Sequence, residues 1–138
     1  MLKFRNIILT IAACAVAGPA FADLPPVVYE RARAEATEVV VIRVISVGAL
    51  PDGADQGVCA VEGEVTAVER GDAHKPGQTL RLVVPCVGPG WTPRPGPFPG
   101  YDATALPMVR NARLWLKDDQ LVLRGLEEVL PEPLIITP

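Results

Sequence analysis

Apolar residues along the chain are arranged mainly in the patterns of β-strands. The strongest run is Val39–Val47, where nearly every residue is β-branched, and this predicts a central strand that is apolar on both faces. Apolar and polar residues alternate over 58–69 and over 79–84, which predicts two further strands. Ala112–Lys117 and Leu121–Leu126 flank a tight Asp-Asp-Gln turn, so together they predict a hairpin.

A short helix and a long loop complete the predicted organisation. Pro25 and Pro26 suit a first helical turn, and the alanine, glutamate and arginine that follow favour helix to about Glu38. Gly63 interrupts the long second strand and predicts a β-bulge at which that strand bends. Prolines and glycines alternate over residues 88–107, so we expect an extended loop without regular hydrogen-bond ladders.

The first 22 residues have the pattern of a cleavable secretory signal. Two basic residues are followed by the apolar run Ile7–Ala17 and by a small-residue site at 20–22. We therefore expect cleavage between Ala22 and Asp23, followed by a single domain over residues 23–138. The apolar run is too short to cross about 30 Å of hydrocarbon, and no later stretch is longer, so no stable membrane span is expected after signal removal.

Cys14 supports an alternative location for the protein, at a membrane. Ile11–Cys14 resembles a bacterial lipoprotein box, in which the cysteine would be lipidated and would anchor the protein. Only residues 7–11 would then form the apolar core of the signal, which is short for that purpose. Cleavage after Ala22 is therefore favoured, and the expected location is the periplasm or the exterior.

The charge of the chain argues against one class of partner. Loss of Lys3 and Arg5 with the signal reduces the 13 basic residues to 11, against 16 acidic residues. The remaining chain has no run of lysine and arginine, so it has no electrostatic basis for holding a phosphate backbone. We expect no nucleic-acid partner.

The two cysteines that remain, Cys59 and Cys86, predict one structural disulfide. An exported protein folds where disulfides form and persist. Cys59 shares a strand face with Val61, and Cys86 shares one with Val84, so both thiols are expected to point inward; two free buried thiols are the alternative. Neither a CxxC redox motif nor a haem motif is present, and these cysteines with His74 supply too few ligands for zinc, so no cofactor or metal is expected.

Candidate catalytic residues are few. His74 is the only histidine and lies in a turn beside Lys75–Gly77, which indicates a solvated loop residue. Ser46 is the only serine and lacks the sharp turn of a nucleophilic serine. Glu62 and Glu64 share one strand face about 7 Å apart, a spacing that also occurs on ordinary solvated strands. We therefore expect no enzyme, and the alternative is a small envelope hydrolase that uses Glu62 and Glu64.

Two further motifs are interpreted structurally. Arg70–Asp72 spells an adhesion tripeptide, but the glycine predicts a turn with a positive φ. Trp115 lies between Arg113 and Lys117 on one strand face, and we expect it outside the barrel beneath the proline-rich loop.

The proline-rich loop contains the candidate partner-binding residues Trp91, Phe98 and Tyr101. Loops longer than about 12–15 residues without structure of their own are usually functional or disordered. Aromatic side chains supply contact area at low cost in rotamer entropy. These three residues are therefore predicted either to bind a partner or to pack the loop onto the barrel.

The order of elements predicts a mainly β fold, a five-stranded OB-type Greek-key barrel with one N-terminal helix. The chain also resembles the netrin/TIMP-like OB superfamily over most of residues 30–126. The resemblance rests on an alanine-rich helix and on the segments 39–47, 65–71, 75–82 and 114–116. It implies a small secreted bacterial member of that group. Eukaryotic members use an N-terminal cysteine to chelate the zinc of metalloproteinases, and this mechanism does not carry over because Asp23 is expected at that position.

The function expected from these observations is non-enzymatic. No catalytic set is assembled in the sequence, whereas a long aromatic loop is attached to a small exported barrel. We expect a secreted or periplasmic binding or accessory domain that recognises a protein or a small ligand.

Overall fold

The computed structural model of the protein describes residues 24–131. The signal predicted for residues 1–22, its cleavage site between Ala22 and Asp23, and the alternative lipidation site Cys14 all lie outside the described residues. Within residues 24–131 no helix has the length and apolarity that crossing a bilayer requires.

The described chain is mainly β, as the sequence predicts. It begins with the helix α1 (Pro26–Ala34), and a 3-10 turn covers Leu106–Met108. The strands are β1 (Glu38–Val47), β2 (Gln56–Arg70), β3 (Thr79–Val87), β4 (Tyr101–Asp102), β5 (Asn111–Lys117) and β6 (Gln120–Glu128).

The strands form one curled sheet in the order β4-β3-β2-β1-β5-β6. Neighbouring strands are antiparallel except β3 and β4, which are parallel. β1 lies between β2 and β5, and its first half is buried, which agrees with its continuous apolar sequence. The sheet curls until β6 comes close to β3, but these two strands share no ladder, so the sheet is a half-barrel.

The concave face of the sheet encloses the core, and the predicted disulfide lies inside it. Cys59 of β2 and Cys86 of β3 are bonded, and their Cα atoms are 5.9 Å apart. Both are buried, as strand parity predicts. The largest fully buried side chains around them are Ile42, Leu114, Leu116, Val40, Val61, Val65 and Val84.

α1 is shorter than the sequence predicts because the chain enters β1 at Glu38, and Arg70 binds carbonyl groups at and just beyond the end of the helix. Nη1 of Arg70 donates to the carbonyl oxygen of Arg33 at 3.0 Å and to that of Ala36 at 2.8 Å. A cation at this position is favoured by the partial negative charge of a helix C-terminus. Glu38, the predicted end of the helix, instead begins β1 and pairs with Leu116 of β5.

The irregularity predicted at Gly63 is present, but the extra residue belongs to β1 rather than to β2. The register slips between Val44 and Ser46, opposite Gly63, which leaves Ile45 unpaired with β2. A Cβ at position 63 would lie 2.7 Å from Cδ1 of Ile42. Glycine is therefore required here by the close approach of the two strands.

The proline-rich loop contains a short strand, so the sheet has six strands rather than the predicted five. β4 pairs in parallel with Cys86–Val87 at the end of β3. Gly100 permits this pairing, because a Cβ there would lie 2.6 Å from the carbonyl carbon of Pro85, and its φ is +142°. The expectation of a loop without any ladder therefore fails at this point.

Two predicted turns are confirmed. Gly71 has a φ of +85° in the Arg-Gly-Asp turn after β2. Asp118 and Asp119, which join β5 to β6, have φ values of 52° and 59°. Two consecutive positive φ values are those of a type I′ hairpin turn, in which aspartate is well tolerated.

Candidate functional site

A cavity of about 790 Å³ opens beside β2 and β3, and we call it the β2–β3 cavity. Cavities of roughly 300–1,000 Å³ are typical of small-ligand sites. The end of β1, the middle of β2 and β3, and the turn between β5 and β6 all contribute to it. Its lining includes Ser46, Ala60, Glu62, Arg81, Val83 and Asp119.

Aliphatic side chains form one part of the cavity wall. Leu121 is half-buried and lines it from the side of the core, where Val61 and Leu82 are buried behind the lining. Ala60 and Val83 are paired across β2 and β3 and lie on the outer face, where Val83 is 63% exposed. An exposed aliphatic surface of this kind is available to a ligand without any rearrangement of the core.

Polar side chains form the rest of the wall. Nε of Arg81 donates to Oε2 of Glu62 at 2.5 Å, and the two residues are directly opposite in the β2–β3 register. The Arg81 side chain is 80% exposed, so its terminal amino groups extend beyond this ion pair. Ser46, Asp119 and Gln120 also line the cavity, and their side chains have no hydrogen-bond or ion-pair partner among residues 24–131. The cavity therefore offers donors and acceptors that the fold does not use.

The two carboxylates of the predicted pair each bind a different arginine. Glu62 is paired with Arg81, whereas Oε2 of Glu64 accepts from Nη2 of Arg43 at 2.9 Å. Each arginine lies opposite its glutamate in the register, Arg43 on β1 and Arg81 on β3. Glu62 lines the cavity and Glu64 does not.

A second candidate region surrounds β6, where arginine side chains stack on aromatic rings. Cζ of Arg124 lies 4.8 Å from the ring centre of Tyr29 and 5.0 Å from that of Phe98. The Phe98 ring meets the Tyr101 ring edge-on, with the centres 4.9 Å apart. Cation–π contacts and edge-to-face ring pairs both stabilise such packing. We call these residues, together with Arg33 and Trp115, the aromatic–arginine cluster.

Arg33 connects α1 to this cluster. Its Cζ lies 4.1 Å from the ring centre of Trp115, and Nη1 is 3.2 Å from Oε2 of Glu127. Nη2 donates to the carbonyl oxygen of Arg124 at 2.9 Å. Trp115 lies on the outer face as predicted, but α1 covers it through Arg33 where the proline-rich loop was expected, because α1 packs against β6.

Tyr101 ties the proline-rich loop to the sheet. Its hydroxyl oxygen accepts from the backbone N–H of Leu126 at 2.9 Å, and its ring packs against the core. Burial raises the pKa of Tyr101 above its ordinary value, while the Leu126 N–H and the charges of Arg33 and Arg124 oppose that shift. The neutral phenol is therefore the form that suits this environment.

The three predicted partner-binding aromatics do not form one surface. Phe98 and Tyr101 are in contact, and both are half-buried. Trp91 is also half-buried, but its ring has no aromatic or cationic partner in the described part of the chain. Its backbone N–H donates to the carbonyl oxygen of Gly88 at 3.1 Å. Two of the three side chains thus contribute to holding the loop, and binding of a partner by this loop stays a prediction.

His74 is buried and 7% exposed, so the prediction of a solvated loop residue is wrong. Its Nδ1 lies 3.8 Å from Oε2 of Glu38, and neither atom has a hydrogen-bond partner within the described residues. The other carboxylate oxygen of Glu38 accepts from the backbone N–H groups of Asp72 and Ala73, at 3.2 and 3.3 Å. Glu38 thus holds the turn that contains His74 against the sheet. No local sequence pattern predicts this contact between residues far apart in the chain.

Metal-ligating side chains are not clustered in the part of the chain that the structure describes. Within residues 24–131 no group of three or more histidine, cysteine, aspartate or glutamate side chains is placed to hold an ion.

No known family model, curated protein or solved structure matches this chain.

Proposed function

We propose that this chain is an exported, non-enzymatic binding domain of OB type and that its ligand occupies the β2–β3 cavity. The observation that carries the proposal is the combination of an aliphatic wall with unused polar side chains in one cavity. Ser46, Asp119 and Gln120 have no partner among residues 24–131. Sites that bind small ligands typically combine a mainly apolar lining with a few such polar groups.

The position of the cavity supports an OB-type site. OB barrels bind their ligands on the face of strands 2 and 3, between the loop after strand 1 and the loop between strands 4 and 5. When the two-residue β4 is left aside, β5 and β6 are the fourth and fifth strands of this chain. Gly48 at the start of the β1–β2 loop and Asp119 in the β5–β6 turn both line the cavity. The cavity is therefore bordered by β2, β3, the β1–β2 loop and the β5–β6 turn, which correspond to the four elements around an OB binding site.

The arrangement of carboxylates favours binding over hydrolysis. A hydrolase with paired carboxylates needs both groups on the same scissile bond. Glu64 lies outside the cavity lining, and Arg43 holds its carboxylate. Glu62, which does line the cavity, is held by Arg81.

Export is the part of the proposal that rests on the N-terminal sequence. The buried Cys59–Cys86 disulfide supports it, because such bonds form and persist in oxidising compartments. An envelope or extracellular binding or accessory role follows from that location.

The proposal is tested by mapping ligand binding onto the backbone amides of the chain without its signal. The probes are pooled synthetic peptides and pooled oligosaccharides, and the readout is the change in amide chemical shifts. We expect a responding pool to shift amides around Ala60, Arg81 and Asp119. Shifts confined to residues 88–107 would instead support the proline-rich loop as the binding element. Turnover of a probe that Glu62→Gln abolishes would favour the hydrolase.

A pair of matched variants separates cavity binding from general effects. Ala60→Arg places a long side chain in the cavity, whereas Ala67→Arg makes the same change elsewhere on β2; both alanines are exposed. We expect Ala60→Arg to weaken binding of the responding probe at least tenfold and Ala67→Arg to leave it unchanged. Because exposed substitutions usually change stability by less than about 0.5 kcal/mol, both variants should melt as the wild type does. Equal affinities for the two variants would refute the cavity as the site.

A further inference from the structure

The edge of β3 presents unpaired backbone groups beside the β2–β3 cavity. The carbonyl oxygen of Val87 accepts from Ala103 on the β4 side, so alternate residues of β3 direct their backbone groups to this edge. Arg81 and Val83 are such residues, and β4 covers only Cys86–Val87. Within residues 24–131 no other strand pairs with this edge. An extended chain can therefore form backbone hydrogen bonds with β3 there.

The cavity has no aromatic side chain among its described lining residues. Nucleobases are commonly bound by stacking on aromatic rings, and such a platform is missing here. Its accessible apolar lining instead comprises the exposed side chains of Ala60 and Val83 and the half-buried side chain of Leu121. An aliphatic side chain is the complement of that surface.

The charge of the cavity is negative at one end. Glu62 and Arg81 neutralise each other. Asp119 has no ion-pair partner in the described chain, and the neighbouring Asp118 has none either. Lys117 precedes the turn but does not line the cavity. A cationic group on the ligand therefore complements Asp119.

From these three features we infer that the ligand of the β2–β3 cavity is an extended polypeptide segment. The segment pairs with the β3 edge at Arg81 and Val83, and it packs one aliphatic side chain against the half-buried Leu121. Two residues further along, the segment places a lysine or arginine next to Asp119. The spacing is two residues because alternate side chains of a strand share a face. The inference depends on the proposed function, since it names the class of ligand for the same cavity.

The first experiment compares three pools of acetylated and amidated hexapeptides by fluorescence anisotropy. All contain leucine or valine at one position, and they differ only in carrying lysine, glutamine or glutamate two residues later. We expect the lysine pool to bind about two- to fivefold more tightly than the glutamine pool, the size typical of an exposed ion pair. The glutamate pool should bind most weakly.

Matched variants assign the preference to Asp119. Asp119→Asn keeps the positive φ of 59°, which asparagine tolerates, and removes the charge. Asp118→Asn removes the same charge one residue away, outside the cavity lining. We expect the lysine preference to disappear in Asp119→Asn and to persist in Asp118→Asn. Equal loss in both variants would show only a long-range charge effect and would overturn the inference.

The second experiment tests backbone pairing with the β3 edge. N-methylation of a responding peptide removes one backbone donor at a time. We expect methylation at alternate positions to weaken binding at least tenfold and methylation at the intervening positions to have little effect. Loss that does not alternate would overturn strand addition.

The outcomes also distinguish this inference from the proposed function. An oligosaccharide or an acidic peptide that binds in the cavity would refute the inference and leave the binding domain intact. Failure of every probe to shift the cavity amides would count against both.

Discussion

The β2–β3 cavity and the aromatic–arginine cluster differ in how far their polar groups are already engaged. In the cluster, Arg33 stacks on Trp115 and donates to the backbone of Arg124, and the hydroxyl of Tyr101 accepts from Leu126. In the cavity, the side chains of Ser46, Asp119 and Gln120 have no partner among the described residues. The region richer in aromatic residues is therefore the region with less bonding capacity left for a ligand.

This difference teaches that aromatic content alone is a poor guide to a binding surface. A hydrogen bond or a ring contact that already stabilises the fold must be broken before the same group can serve a ligand, and breaking it costs free energy. Phe98 and Tyr101 are engaged in this way. Groups that lie unused beside an aliphatic wall only have to exchange water for the ligand, which is why we propose the cavity as the binding site.

The largest effect is expected from the disulfide in the core. Cys59–Cys86 links β2 to β3 with a sequence separation of 27. The chain-entropy model gives such a bond about 3–4 kcal/mol of stability, so reduction should lower the melting temperature by more than about 10 °C. Calorimetry with and without a reductant measures this, and the double variant Cys59→Ala/Cys86→Ala should not respond to the reductant. An unchanged melting temperature on full reduction would contradict a structural role.

An intermediate effect is expected when the loop aromatics are replaced one at a time. Burial of an aromatic ring in a core is worth about 3–5 kcal/mol relative to alanine, and Tyr101 is half-buried, so Tyr101→Ala should lose roughly 2–3 kcal/mol. Trp91→Ala removes a half-buried ring without an aromatic or cation–π contact in the described chain, and its loss should be about 1 kcal/mol smaller because no hydrogen bond like that of Tyr101 to Leu126 is broken. Urea denaturation compares the two. If Trp91→Ala abolishes ligand binding while the fold stays intact, the proline-rich loop binds the ligand. The β2–β3 cavity would then not be the binding region.

The smallest effect is expected at alkaline pH. Burial raises the pKa of Tyr101 above its ordinary value of 10.0. The unfolded chain therefore releases this proton more readily than the folded chain does, so stability is kept below pH 10 and lost as the pH rises through the folded pKa. Tyr101→Phe should begin slightly less stable at pH 8, because the Leu126 N–H loses its acceptor, and should then decline less between pH 9 and 11 than the wild type. Identical pH profiles for the two proteins would show that Tyr101 does not carry the effect.

Much of the fold was accessible to sequence reasoning because strand signals are local. The β-branched run Val39–Val47 predicts the central strand to within a residue of the observed Glu38–Val47. The parity of Cys59 and Cys86 predicts that both point into the core, and the bond between them confirms it. The candidate site is only partly predictable: strand parity indicates Glu62, but no local pattern indicates its pairing with Arg81 or the contribution of Asp119 to the same cavity.

What the sequence determined by itself is the type of each main element and the face on which its side chains lie. Both follow from local backbone geometry, which sets a period of two residues in a strand. The tertiary structure alone decided that His74 is buried against Glu38, that Arg33 covers Trp115, and that Asp119 and β3 line the same cavity. These contacts join residues far apart in the chain, and they depend on how strongly the sheet curls and on where its registers slip, which no local pattern specifies.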